Sequence, residues 1–121
     1  MMTKKDIKAI TKIAKSMDWT VEALEEDGKT YFELETYSDK WQHLTLTIWG
    51  ETVDEFADNL NERYCDYDCS EEAYIWLDDF GHGKNGAPYD MRDVYEDMET
   101  CYWRIGLLSE AVFVHLQNAC A

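Results

Sequence analysis

Residues 81–88 read GHGKNGAP and place Gly81, Gly83 and Gly86 at the spacing G-x-G-x-x-G. Such a loop cradles a pyrophosphate when a buried strand leads in, a helix leads out and an acid about 20 residues on meets the ribose. Here the stretch follows a short helical pattern, and Asp78, Asp79, Asp90 and Asp93 flank it with charge that repels a phosphate. Lys84 lacks the preceding glycine and the following Ser or Thr of a Walker loop. The glycines therefore read as an exposed connector between two helices, and Pro88 stops continuation.

The other chemistry-bearing residues converge no better. Cys65 and Cys69 lie one helical turn apart, a spacing that suits a metal less well than C-x-x-C. With His82 and Cys101 they can be drawn as a zinc site, but the favoured reading is ordinary, half-buried reduced thiols. His43 falls on the polar face of a strand, His82 in the glycine stretch and His115 on an apolar helical seam. None has a neighbour in sequence that suggests a nucleophile and its base. Carboxylates are too many for one pair to stand out as general acid and base. The expectation is a binding protein and not an enzyme, with no cofactor and no metal.

Charge is the main signal. The 121 residues carry 26 acids against 11 Lys and Arg, a net of −15. Residues 51–100 hold sixteen acids against only Arg63, Lys84 and Arg92. Such a segment repels phosphates, so direct nucleic-acid binding is not expected and a basic partner is the natural complement. No apolar run reaches the roughly 18 residues of a membrane span, and the charged start MMTKKD is unlike a signal peptide, which predicts a cytoplasmic protein. A hydrophobic share of 45%, with five Trp and eight Tyr, excludes a disordered acidic tail.

The elements that must carry these acids follow from periodicity. Thr3 and Asp6 open a helix over 4–17 with Ile7, Ile10, Ile13, Ala14 and Met17 on one side and five lysines on the other. Strand patterns follow at 19–26, 30–36 and 41–49, the first two joined by Asp27-Gly28. Gly50 closes the meander. Thr52 and Glu55 cap a helix over 53–66 with an apolar stripe of Val53, Phe56, Ala57, Leu60 and Tyr64. Ser70 is expected to cap a short helix, with Ala73, Trp76 and Leu77 inward. Asp90 opens a long one, seamed by Met91, Val94, Met98, Cys101, Ile105, Leu108, Val112 and His115 and interrupted by Gly106. The order α-β-β-β-α-α-α predicts a single α+β domain over residues 1–121, a small antiparallel meander covered on one face by helices.

On the helix over 53–66, Asp54, Glu55, Asp58, Glu62 and Asp66 keep to the side opposite the stripe. The row continues through Asp68, Glu71 and Glu72, then Asp93, Glu96 and Asp97, all expected to face water. Carboxylates at i, i+4 stand about 6 Å apart along a helix, a scale comparable with duplex phosphates.

The segments RYCDYDCSEEAYIWLDD and YDMRDVYEDMET, with this element order, resemble small acidic proteins of phages and mobile elements, especially DNA-mimic anti-CRISPR proteins. In those inhibitors acidic side chains occupy the DNA-reading groove of the RNA-guided nuclease. The resemblance implies that Asp66, Asp68, Glu71, Glu72, Asp93, Glu96 and Asp97 would carry binding here. The long apolar C-terminal helix departs from that pattern. It supports an alternative, an antitoxin or adaptor docking a basic partner through this helix. It also suggests a homodimer through residues 101–118, with Tyr102, Trp103, Leu107, Phe113 and Val114 on its second side.

Overall fold

The computed structural model describes residues 2–40, 42–76 and 91–119. The fold is α+β: helix α1 (Lys4–Ser16), strands β1 (Thr20–Glu26), β2 (Lys29–Tyr37) and β3 (His43–Trp49), then helices α2 (Val53–Asp66), α3 (Cys69–Trp76) and α4 (Met91–Ala119). The strands form one antiparallel sheet in the order β1-β2-β3.

Local chemistry sets most boundaries. The Thr3 and Thr52 hydroxyls each accept from the backbone N–H three residues on, at 3.1 Å, and so start α1 and α2. Asp27 and Gly28 both adopt positive φ, 52° and 77°, the backbone of a tight hairpin turn that opposes Glu26 to Lys29. β3 begins at His43, later than the pattern suggests, because Gln42 is engaged in the preceding loop. Its carbonyl accepts from the Ser38 N–H at 2.9 Å, and its own N–H donates to Ser38 Oγ at 2.8 Å. The start of α3 differs too. Asp68, not Ser70, supplies the cap, its Oδ1 accepting from the N–H groups of Ser70 at 2.9 Å and Glu71 at 3.2 Å. Ala73 of this helix is buried. Leu77, Asp90 and the glycine stretch at 81–88 lie outside the described residues.

One face of the sheet is dry. Phe32, Leu34, Leu46 and Ile48 point inward against Ile10 and Ala14 of α1, Phe56, Ala57 and Leu60 of α2, and Ile105, Leu108 and Val112 of α4. Phe32 meets Phe56 edge-on at 4.8 Å between centroids. A second cluster joins Ala73 to Val94, Met98 and Cys101, so α4 runs through both. α4 passes without a break through Gly106. The glycine serves a different purpose from the expected interruption: a Cβ there would stand 2.7 Å from the Tyr64 ring. Its absence lets Tyr64 of α2 lie close against α4 and stack on Tyr102 at 4.5 Å.

Asp97 is expected from the sequence to face water, and it does not. It is 3% exposed. Its carboxylate accepts from the Ser38 hydroxyl at 2.5 Å and from the Lys40 N–H at 3.0 Å, tying α4 to the loop between β2 and β3. The helical period explains the burial, since positions 94, 97 and 101 fall at i, i+3 and i+7, on the seam. Asp97→Ala removes the acceptor that the Ser38 hydroxyl and the Lys40 N–H share, at a buried position, so it is expected to lower unfolding stability by about 1–3 kcal/mol. Denaturant titration checks this; an unchanged midpoint would show that the loop does not rely on the carboxylate.

Candidate partner interface

α2 presents its acids as a consequence of its core stripe. With Phe56, Ala57 and Leu60 wholly buried, the helical period turns Asp54, Glu55, Asp58, Glu62 and Asp66 to solvent, and all five are exposed. None of the five forms an ion pair among the described residues. Like charges at i, i+4 weaken a helix by a few tenths of a kcal/mol per pair, so this row is held against its own repulsion.

The remaining predicted acids divide by role. Asp68 is exposed but spends one oxygen on the cap of α3. Glu71 is exposed, while Glu72 is half-buried near Tyr67 and Cys69, whose pKa values are raised chiefly by burial and to a smaller extent by the Glu72 charge. Glu96 is exposed and paired with Arg92 at 3.3 Å, and Asp93 is half-buried. Asp97 is withdrawn from the surface altogether.

The structure adds acids that their dispersion in sequence conceals. The strand register sets Glu22 directly across from Glu33, and Glu35 beside both, on the sheet face opposite the core. The next row on that face is Leu24, Tyr31 and Trp49, with the Tyr31 and Trp49 rings 4.4 Å apart. Trp49 stands between two hollows. One, of about 400 Å³, is lined by Glu26, Asp27, Lys29, Trp49 and Glu55. The other, of about 320 Å³, includes Trp49, Asn59, Glu62, Arg63 and Asp66. Glu55, Glu62 and Asp66 of the predicted row are thus gathered around one indole. The Asn59 amide donates to the Trp49 carbonyl at 2.7 Å and links this strand end to α2.

A second surface lies on α4. The stripe of Cys101, Ile105, Leu108 and Val112 is buried, as its spacing suggests. The other side divides. Tyr102 and Phe113 are partly covered, whereas Trp103, Leu107 and Val114 are 59%, 53% and 48% exposed. Trp103 and Leu107 border a hollow of about 360 Å³ with Met17, Trp19, Thr100 and Arg104.

The cysteines and histidines among the described residues do not converge on one site. Among the described residues no three His, Cys, Asp or Glu side chains are grouped to hold a metal ion. Cys65 is exposed, Cys69 half-buried and Cys101 buried, and His82 lies outside the described residues. His43 stacks on Tyr37 at 5.1 Å and stands 3.7 Å from Glu35. Among the described residues no helix is long and apolar enough to cross a membrane.

Burial, reinforced by the Asp97 charge, pushes the Cys101 thiol up to about 11. The reactive species is the thiolate, and a raised pKa keeps the folded state in the thiol form. At mildly alkaline pH, iodoacetamide is expected to label exposed Cys65 and to spare Cys101. Stability tied to that neutral thiol is complete below the unfolded pKa and is lost as pH rises through about 11. Peptide mass spectrometry reads the labelling; early alkylation of Cys101 in the folded protein would contradict its burial. No protein-family model matches this chain, and no curated protein or solved structure is significantly similar to it.

Proposed function

We propose that this chain is an acidic, non-enzymatic inhibitor acting in the cytoplasm. It binds the basic nucleic-acid groove of a DNA-handling enzyme, such as an RNA-guided CRISPR nuclease. The observation that carries the reading is the α2 row: five exposed carboxylates without an ion pair among the described residues, on a helix whose opposite side is locked into the core. Arg and Lys side chains arranged for phosphates accept carboxylates through charge-assisted hydrogen bonds, with steered and salt-sensitive association. Glu71 and Glu96 extend the exposed acids beyond α2. Asp97 has no part in the contact.

A second reading, an adaptor or antitoxin that docks a basic partner through α4, is supported by exposed Trp103, Leu107 and Val114. The same side chains support a homodimer through residues 101–118, since a large exposed apolar patch commonly marks an interface.

Two measurements test these readings. Asp54→Lys, Asp58→Lys and Glu62→Lys together change only exposed groups, each within about 0.5 kcal/mol of neutral for the fold. The triple variant is expected to keep its circular dichroism and to lose inhibition of DNA cleavage by a susceptible nuclease. Full inhibition by the folded variant would exclude α2 as the contact. Light scattering at micromolar concentration is expected to return twice the chain mass, and Trp103→Ser with Leu107→Ser to return the monomer. A monomer throughout for the unaltered chain would remove the dimer.

A further inference from the structure

The sheet face opposite the core has no described element packed over it. Its side chains run in rows set by the register: Leu24, Tyr31 and Trp49; then Glu22, Glu33 and Thr47; then Thr20, Glu35 and Thr45. Glu22, Glu33, Glu35 and Trp49 are exposed. Like charges directly opposite on neighbouring strands are unfavourable, and Glu22 faces Glu33 in that manner. Beside this pair lies the Tyr31–Trp49 couple, rings 4.4 Å apart and inclined by 32°. Past the couple, Glu26 and Glu55 line the hollow under Trp49, together with Asp27 and Lys29. Lys29 is the basic residue of that hollow, and it forms no ion pair among the described residues.

From this juxtaposition we infer that the open sheet face is a receptor for an arginine side chain of the partner. The guanidinium lies against the Tyr31–Trp49 couple, with the carboxylates of Glu22, Glu26 and Glu33 around it. The inference rests on the reading of the chain as a ligand for a basic protein, and it names the group recognised and the sheet face that adjoins α2 at Trp49. An aromatic face attracts a cation, and tryptophan does so best. Arginine fits better than lysine, because a planar guanidinium stacks on a ring while its edge donates to carboxylates. A cation there also relieves the repulsion between Glu22 and Glu33. The carboxylates act on the couple in the free protein. Partial burial and the charges of Glu33, Glu26 and Glu22 together raise the pKa of the Tyr31 hydroxyl.

The test uses the ¹⁵N-labelled full chain with acetylated hexa-arginine and hexa-lysine peptides. The Trp49 indole N–H is assigned by its loss in Trp49→Phe. Hexa-arginine is expected to shift that resonance and to bind about threefold to fivefold more tightly than hexa-lysine, the scale of an exposed cation–π contact. In Glu22→Gln with Glu33→Gln, which removes charge without changing shape, the arginine preference is expected to vanish. The shift at Trp49 should persist in Asp54→Lys with Asp58→Lys, which leaves the lining of both hollows beside Trp49 unchanged, and that result supports the sheet site whatever becomes of inhibition. Shifts confined to α2, with the Trp49 resonance unmoved, overturn the sheet site and leave the α2 reading standing. Equal affinity for the two peptides also overturns it.

Discussion

Every layer of this protein leans on the burial of one side of α4. Val94, Met98 and Cys101 close the smaller cluster over α3, and Ile105, Leu108 and Val112 continue the same line into the main core under the sheet. A chain with a net charge of −15 gains little from its surface, where like charges repel. Apolar burial must therefore supply the favourable term, at roughly 25 cal/mol per Å². The two ends of the seam are tied by different means. Gly106 removes a side chain so that Tyr64 can come close, and Asp97 supplies a carboxylate so that the Ser38–Lys40 loop can be held.

Against that apolar frame the acids take three distinct positions. Those of α2 stand in a row facing water. Asp68 and Asp97 are put to structural use, one starting a helix and the other anchoring a loop. Those of the sheet are brought together only by strand pairing, beside an aromatic couple. Total charge is thus a poor guide to which carboxylates a partner can reach. Burial and hydrogen bonding sort them first.

What could be read from the sequence follows the range of the interactions. The bounds of α2 were legible because the Thr52 cap and the 3.6-residue stripe are both local, and the exposure of Asp54, Asp58 and Glu62 follows from the same stripe. The hairpin was legible because Asp-Gly is a turn signal in itself. The cap of α3 was not legible: the pattern points to Ser70, but Asp68, an equally good capping residue two positions earlier, takes the role. The burial of Asp97 was half legible: its phase on the seam could be counted, but its partners Ser38 and Lys40 lie more than fifty positions away. The neighbourhood of Trp49 was hidden for the same reason. Glu22 and Glu33 meet only through the strand register, and the hollows that gather Glu26, Glu55 and Glu62 around the indole form only once α2 is seated beside β3.

The lysines of α1 give the charge a direction as well as a size. Lys4, Lys5, Lys8, Lys12 and Lys15 are all exposed. α1 packs beside β1, while acid-bearing α2 packs beside β3, at the other edge of the three-stranded sheet. Among the described residues the charge therefore forms a dipole across the strands, less negative at the β1 edge, where the α1 lysines offset nearby carboxylates, and more negative at the β3 edge. In the field of a basic surface such a dipole exerts a torque before any atoms touch, turning α2 forward and α1 away. Encounters then begin already oriented, and added salt weakens this alignment along with the attraction.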